Sequence, residues 1–148
     1  MTGTPANDDE GRIRQWLSEL SEHVRAVDFS GARRLFAEDM VAFGTFSDFL
    51  VGREAVERLQ WRKVWPSIAD FRWRLDEVKA MVGADRLFAV AMASFDSTGY
   101  GRDGAPYERP GRATVAFRRR AIGEDWIAHH THMSLCRGVA QQSFGKKP

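Results

Sequence analysis

The sequence predicts an α+β domain in which a curved antiparallel sheet wraps around three N-terminal helices. Two observations predict it: helical spacing of apolar residues is confined to the first half of the chain, and four long strand-like segments fill the second half. At 148 residues the chain is one domain, long enough to bury a real core.

The elements follow in order. Ile13, Trp16, Leu17, Leu20, Val24 and Val27 repeat at three-and-four spacing, the mark of an amphipathic first helix. Asp28 or Ser30 caps a shorter second helix with Phe29, Ala32, Leu35 and Phe36 as its apolar positions, ending near "AED". "MVAFGTF" and "FLVG" form a small hairpin around the turn-prone "SD". "REAVERLQWRKVWPSI" is a third helix by the spacing of Trp61, Val64, Trp65 and Ile68, ended or kinked by Pro66. "FRWRL" alternates as a strand, and the phase slip at Asp76 and Glu77 predicts a bulge before Val78, Ala80 and Val82 resume it. "GADR" is a turn, "LFAVAMASFDSTG" a long strand and "YGRDGAPYERPG" a loop. "RATVAFRRR" and "WIAHHTHMSL" close the sheet across the turn "AIGED". Residues 1–11 read as a disordered tail, 12–138 as the domain and 139–148 as a C-terminal tail.

Composition narrows the partners. Lys plus Arg number 22 against 20 acidic residues, a net charge of +2 that does not suggest nucleic acid. No apolar run approaches the length needed to cross a bilayer, and the N-terminus lacks the pattern of a signal peptide, so the expectation is a cytoplasmic protein without membrane contact. Cys136 is the single cysteine, which excludes an internal disulfide and a Cys-type zinc site.

Three of the four histidines fall at 129, 130 and 132. On a strand, His130 and His132 share one face with Trp126, Ala128 and Ser134, while Ile127, His129, Thr131, Met133 and Leu135 take the other. Three readings are open for the pair: metal ligands, hydrogen-bonded strand residues, or pocket groups that bind a ligand or move a proton. A third ligand is missing nearby, so no metal is expected. Arg112 begins a strand in phase with the small Thr114 and Ala116; turned inward it would select carboxylate or carbonyl oxygens. Asp96, in phase with Met92 and Ser94, is the best-placed carboxylate on a strand, open to two readings: a cap for the loop that follows, or a pocket base beside apolar walls. Trp61 and Trp65 offer an aromatic wall, and Tyr100 lies in the Gly-rich loop where a pocket mouth would open.

"DFSGARRLFAEDMVAFG", "VGREAV", "GRATVAFRRR" and "DWIAHHTHMS" resemble the nuclear transport factor 2-like superfamily, over residues 12–137. The last stretch is similar to the closing strand of the SnoaL-like subgroup that includes the calcium/calmodulin-dependent kinase II association domain, with Trp126, His130, His132 and Ser134 at the shared positions. The resemblance implies a cone-shaped fold whose concave wall carries the even-numbered face of the last strand. It favours His130 and His132 as pocket groups with Arg112 turned inward beside them; taken with the residue reading, the candidate catalytic residues are His130, His132 and Asp96, and the candidate ligand-binding residues Arg112, Trp61, Trp65, Tyr100 and Trp126. The reaction it implies is cofactor-free proton transfer, as in isomerases, cyclases and dehydratases, on a cyclic or carbonyl/carboxylate small molecule; the alternative is a non-catalytic ligand-binding or oligomerisation module. Steroid isomerase chemistry needs a tyrosine in the first helix, where this chain has Trp16 and His23. With Phe117, Ile127, Met133 and Leu135 off the concave face, the outer sheet surface is expected to build a homodimer. With a ligand oxygen held between Arg112 and the imidazoles of His130 and His132, affinity would fall as pH rises through the histidine pKa.

Overall fold

The computed structural model describes residues 5–147, with side chains from residue 8 onward. Helix α1 (Pro5–Ala26) buries the predicted stripe of Ile13, Trp16, Leu17, Leu20 and Val24. Each such burial stabilises the fold by roughly 1.5–3 kcal/mol, and Trp16 Nε1 also donates to Leu35 O at 3.1 Å. Much of the expected tail at 1–11 is helical instead. Asp9 is fully buried, with its carboxylate 2.7 Å from both Arg86 Nε and Arg119 Nη2; residues 1–4 lie outside the described residues. Val27 does not extend the stripe. It leaves the helix at a left-handed φ of 52° and is exposed.

Asp28 caps α2 (Phe29–Arg33) by accepting from Gly31 N at 2.9 Å. This helix is shorter than its spacing suggests, because Phe36 opens strand β1 (Phe36–Phe43), which pairs with β2 (Leu50–Val51) as the expected hairpin. The third helical segment starts as α3 (Arg53–Val56) and continues through a π-helical turn (Glu57–Trp61) and a short α-helical turn (Arg62–Val64). It ends in a 3₁₀ turn (Trp65–Ser67) that holds Pro66. The wider π turn lets Glu57, Gln60 and Trp61 all be buried. Glu57 is clamped between Arg33 (2.6 Å) and Arg62 (2.7 Å), and the Arg33 hydrogen bond leads the effects that hold its carboxyl at about 2.

Strands β3 (Ala69–Trp73) and β4 (Lys79–Val82) both pair with the long β5 (Phe88–Tyr100). A 3₁₀ turn at Leu75–Glu77 separates them where the phase slips. Within the expected loop, β6 (Pro106–Glu108) pairs with the end of β5; β7 (Gly111–Arg118) and β8 (Ile127–Leu135) complete the sheet. Its order is β2-β1-β8-β7-β5-β3, and β1 runs parallel to β8, an exception to the antiparallel expectation.

The register of β8 departs from simple alternation. Ala116 opposes His130 while Phe117 opposes Ala128, so His129 is an extra residue, a β-bulge. Upstream of the bulge Trp126 and Ala128 are buried; downstream Thr131 and Leu135 are buried and His132 is exposed. Residues beyond β8 fold back over the domain. Ser143 Oγ accepts from Tyr100 N (2.9 Å) and donates to Ser67 O, and Phe144 N donates to Tyr100 O at 2.8 Å. Among the described residues no helix is long and apolar enough to cross a membrane.

Candidate functional site

Strand β5 changes partner midway along its length. Residues up to Phe95 pair with β7, and Thr98 to Tyr100 pair with β6. Arg109 and Pro110 form the step between those two partners, and Arg109 N donates to Ser97 O at 2.9 Å. Arg109 continues inward the odd-numbered phase of Gly111, Ala113, Val115 and Phe117, all buried, and only 3% of the residue is exposed.

It lines a cavity of about 50 Å³ between the third helical segment and the concave side of the sheet. Trp61, Trp65, Phe71, Phe95 and Met133 form the apolar wall; Trp61 and Trp65 stack with centroids 5.0 Å apart at 17°. The polar end holds Arg109, Thr45, Gln60 and Thr131. Arg109 Nη2 donates to Thr45 Oγ1 at 3.2 Å and Nη1 to Ser97 Oγ at 3.3 Å, while its buried Nε has no partner among the described residues. No carboxylate pairs with Arg109 among the described residues. Burial holds its pKa below the ordinary arginine value, yet a guanidinium keeps its proton throughout the neutral range. A buried cation of this kind is costly until something negative reaches it.

Gln60 organises the segment that carries Thr45. Its Oε1 accepts from Phe46 N (3.2 Å), Ser47 N (3.0 Å) and Ser47 Oγ (2.7 Å), and its Nε2 donates to Thr45 Oγ1 at 3.0 Å. Position 44 must be glycine for this to fit, since a Cβ there would collide with the Gln60 amide.

The bulge at His129 reverses the expected face of the last strand: Thr131 and Met133 line the cavity, and His130 and His132 lie on the other side. His130 Nδ1 is 2.7 Å from Val41 O. Exposed His132 shares an outer groove with Arg112, and Arg112 donates to Ser134 Oγ at 3.3 Å. Asp96 is also away from the cavity. Arg74 grips it through two contacts of 2.9 Å and, chiefly by the hydrogen bond, lowers its pKa, the opposite of what a neutral-pH base requires. Trp126 is buried under the Arg119 guanidinium at 4.0 Å, away from the cavity. Tyr100 is buried and its backbone is held by the C-terminal segment rather than placed at the cavity. Of the eight residues read from the sequence, the cavity gathers Trp61 and Trp65. The apolar argument for a dimer through the outer face also changes, because Phe117 and Leu135 are buried and Met133 lines the cavity.

Arg109, Thr45 and Gln60 escaped the sequence reading. A signal existed for two of them: Arg109 extends the apolar phase of β7 backwards, and Gln60 sits four residues from both Val56 and Val64 on a helical face. Among the described residues no group of three or more His, Cys, Asp or Glu side chains is placed to hold a metal.

The SnoaL-like domain profile matches residues 13–138. No curated protein sequence matches significantly. Among solved structures, a nuclear transport factor 2-like superfamily protein from Salmonella enterica superposes with a TM-score of 0.73 at 16% identity, covering 93% of this chain and 99% of that one. A ketosteroid isomerase-like protein from Erwinia carotovora atroseptica gives 0.72 at 16% identity, covering 87% and 97%. The association domain of the C. elegans kinase CaMKII gives 0.61 at 15% identity, covering 87% and 95%. At these identities the likeness shows the shared fold.

Proposed function

The chain belongs to the SnoaL-like domain family, and we propose that its cavity binds a small organic carboxylate, with Arg109 as the anchor. The carrying observation is a guanidinium, 3% exposed, that lacks any carboxylate partner among the described residues and meets an apolar aromatic wall. Charge selects the carboxylate, the wall takes an apolar body, and the modest volume favours a compact one. Proton-transfer chemistry has weaker support, since the cavity lining includes no histidine, aspartate or glutamate to serve as a base. Binding without turnover is therefore the reading we adopt, and a cytoplasmic setting goes with it on composition alone.

Calorimetric titration with propionate tests this. Wild type should bind propionate, Arg109→Met should not, and affinity should stay level from pH 6 to 9 because the anchor keeps its charge. Equal binding by Arg109→Met, or an affinity that falls through the histidine range, would reject it. A second reading, assembly of copies, is supported by the likeness to the association domain of the C. elegans kinase CaMKII, and the outer sheet face that carries His132, Arg112, Met92 and Thr114 is where it would form. Sedimentation should then show a dimer at micromolar concentration that Met92→Lys splits; a wild-type monomer removes this reading.

A further inference from the structure

The cavity's polar end can be read proton by proton. Gln60 Oε1 faces two backbone N–H groups, which only donate, so the amide orientation is fixed by chemistry rather than by choice. Its Nε2 therefore donates to Thr45 Oγ1 at 3.0 Å, and Arg109 Nη2 donates to the same oxygen at 3.2 Å. A hydroxyl has two lone pairs and one proton. With both lone pairs engaged, the Thr45 proton is left to donate. Ser97 Oγ is differently placed: it accepts from Arg109 Nη1 and gives its own proton to Arg109 O at 2.8 Å.

We infer that Thr45 is the second donor to the ligand and that Gln60 is the positioning residue that aims it, so the site accepts a carboxylate and rejects the matching amide. The inference rests on the carboxylate reading above. The Arg109 guanidinium and Thr45 Oγ–H, on residues that line the cavity, then present donors alone, which an acceptor-only carboxylate satisfies. An amide brings an NH₂ that meets donors. Gln60 exerts this effect without touching the ligand, by occupying a lone pair of Thr45.

The isosteric variant Gln60→Glu separates this role from simple loop support. A carboxylate at position 60 still accepts from Phe46 N, Ser47 N and Ser47 Oγ, so the loop stays held. Its second oxygen accepts the Thr45 proton, however, turning that donor away from the cavity and adding a negative charge beside it. Calorimetric titrations of propionate and propionamide read the outcome, with Arg109→Met as control. Wild type should prefer propionate, Thr45→Ser should keep that preference, and Thr45→Val and Gln60→Glu should each weaken propionate by about tenfold or more. Thermal melts of the variants confirm that they are folded; should Gln60→Glu fail to fold, the Thr45→Ser and Thr45→Val pair still decides. If wild type binds propionate, Arg109→Met does not, and Thr45→Val and Gln60→Glu bind like wild type, this inference alone is overturned. If wild type binds neither probe, or Arg109→Met binds like wild type, the carboxylate reading falls and this inference with it.

Discussion

Arg109 and Arg119 flank strand β7, one before its first residue and one after its last, and both are buried, at 3% and 6% exposure. Their surroundings differ in one respect that decides their roles. Arg119 donates to Asp9 Oδ1 at 2.7 Å, to Arg86 O at 2.9 Å and to Glu124 O at 3.4 Å, and it covers the Trp126 ring. Asp9 in turn is held by Arg86, the leading cause of its lowered pKa. That guanidinium is neutralised by its own chain and ties α1 to the sheet. Arg109 meets two hydroxyls and no carboxylate among the described residues. A buried charge complete within the fold is scaffold, whereas one left incomplete is a site for something else.

The largest expected effect tests the scaffold side. Asp9→Ala strands the positive charge of Arg119 in the interior and should cost about 3–5 kcal/mol, read as a lower urea midpoint. A loss within experimental error would erase the distinction between the two arginines.

Glu57 offers a graded test on the helical side of the cavity. Its carboxyl titrates at about 2 in the fold against an ordinary 4.5. A depressed pKa contributes stability that is present above the unfolded value and lost as pH falls through the folded one. With Arg33 and Arg62 half-exposed, the contribution should be about 2 kcal/mol. Wild type and Glu57→Gln should therefore differ by that amount at pH 7 and converge between pH 4.5 and 2; a constant gap would mean the carboxylate charge is not the cause.

Arg109→Met should behave oppositely to Asp9→Ala. Removing an uncompensated buried cation should leave the unliganded protein equally stable or more stable by about 1 kcal/mol, measured by the same urea midpoint. A loss of several kcal/mol would make Arg109 structural. The smallest effect belongs to the outer face: His132→Ala, at an exposed position, should change stability by less than about 0.5 kcal/mol and leave propionate affinity intact.

Sequence pattern carried the architecture further than the site. The three-and-four spacing from Ile13 to Val24 and the long strand read at "LFAVAMASFDSTG" survive because each records a surface pressed against one core. The last strand misleads for a local reason. The extra residue at His129 exchanges the two faces, and alternation counted from Trp126 then assigns His130 and His132 to the wrong side. Arg109 sits in "YERPG", whose Pro and Gly read as loop, and only the β6–β7 step beside β5 turns it inward. Nor could spacing show that Arg119 has a carboxylate and that Arg109 has none among the described residues, since Asp9 lies 110 positions from the first.

Methionine methyls place the ligand most directly, because Met133 lines the cavity and Met92 lines the outer groove beside Arg112 and His132. In a spectrum of protein labelled with ¹³C at its methionine methyls, titration with propionate should shift the Met133 signal saturably and leave Met92 in place. A saturable shift of Met92 with Met133 unmoved would put the ligand on the outer face and contradict Arg109 as its anchor.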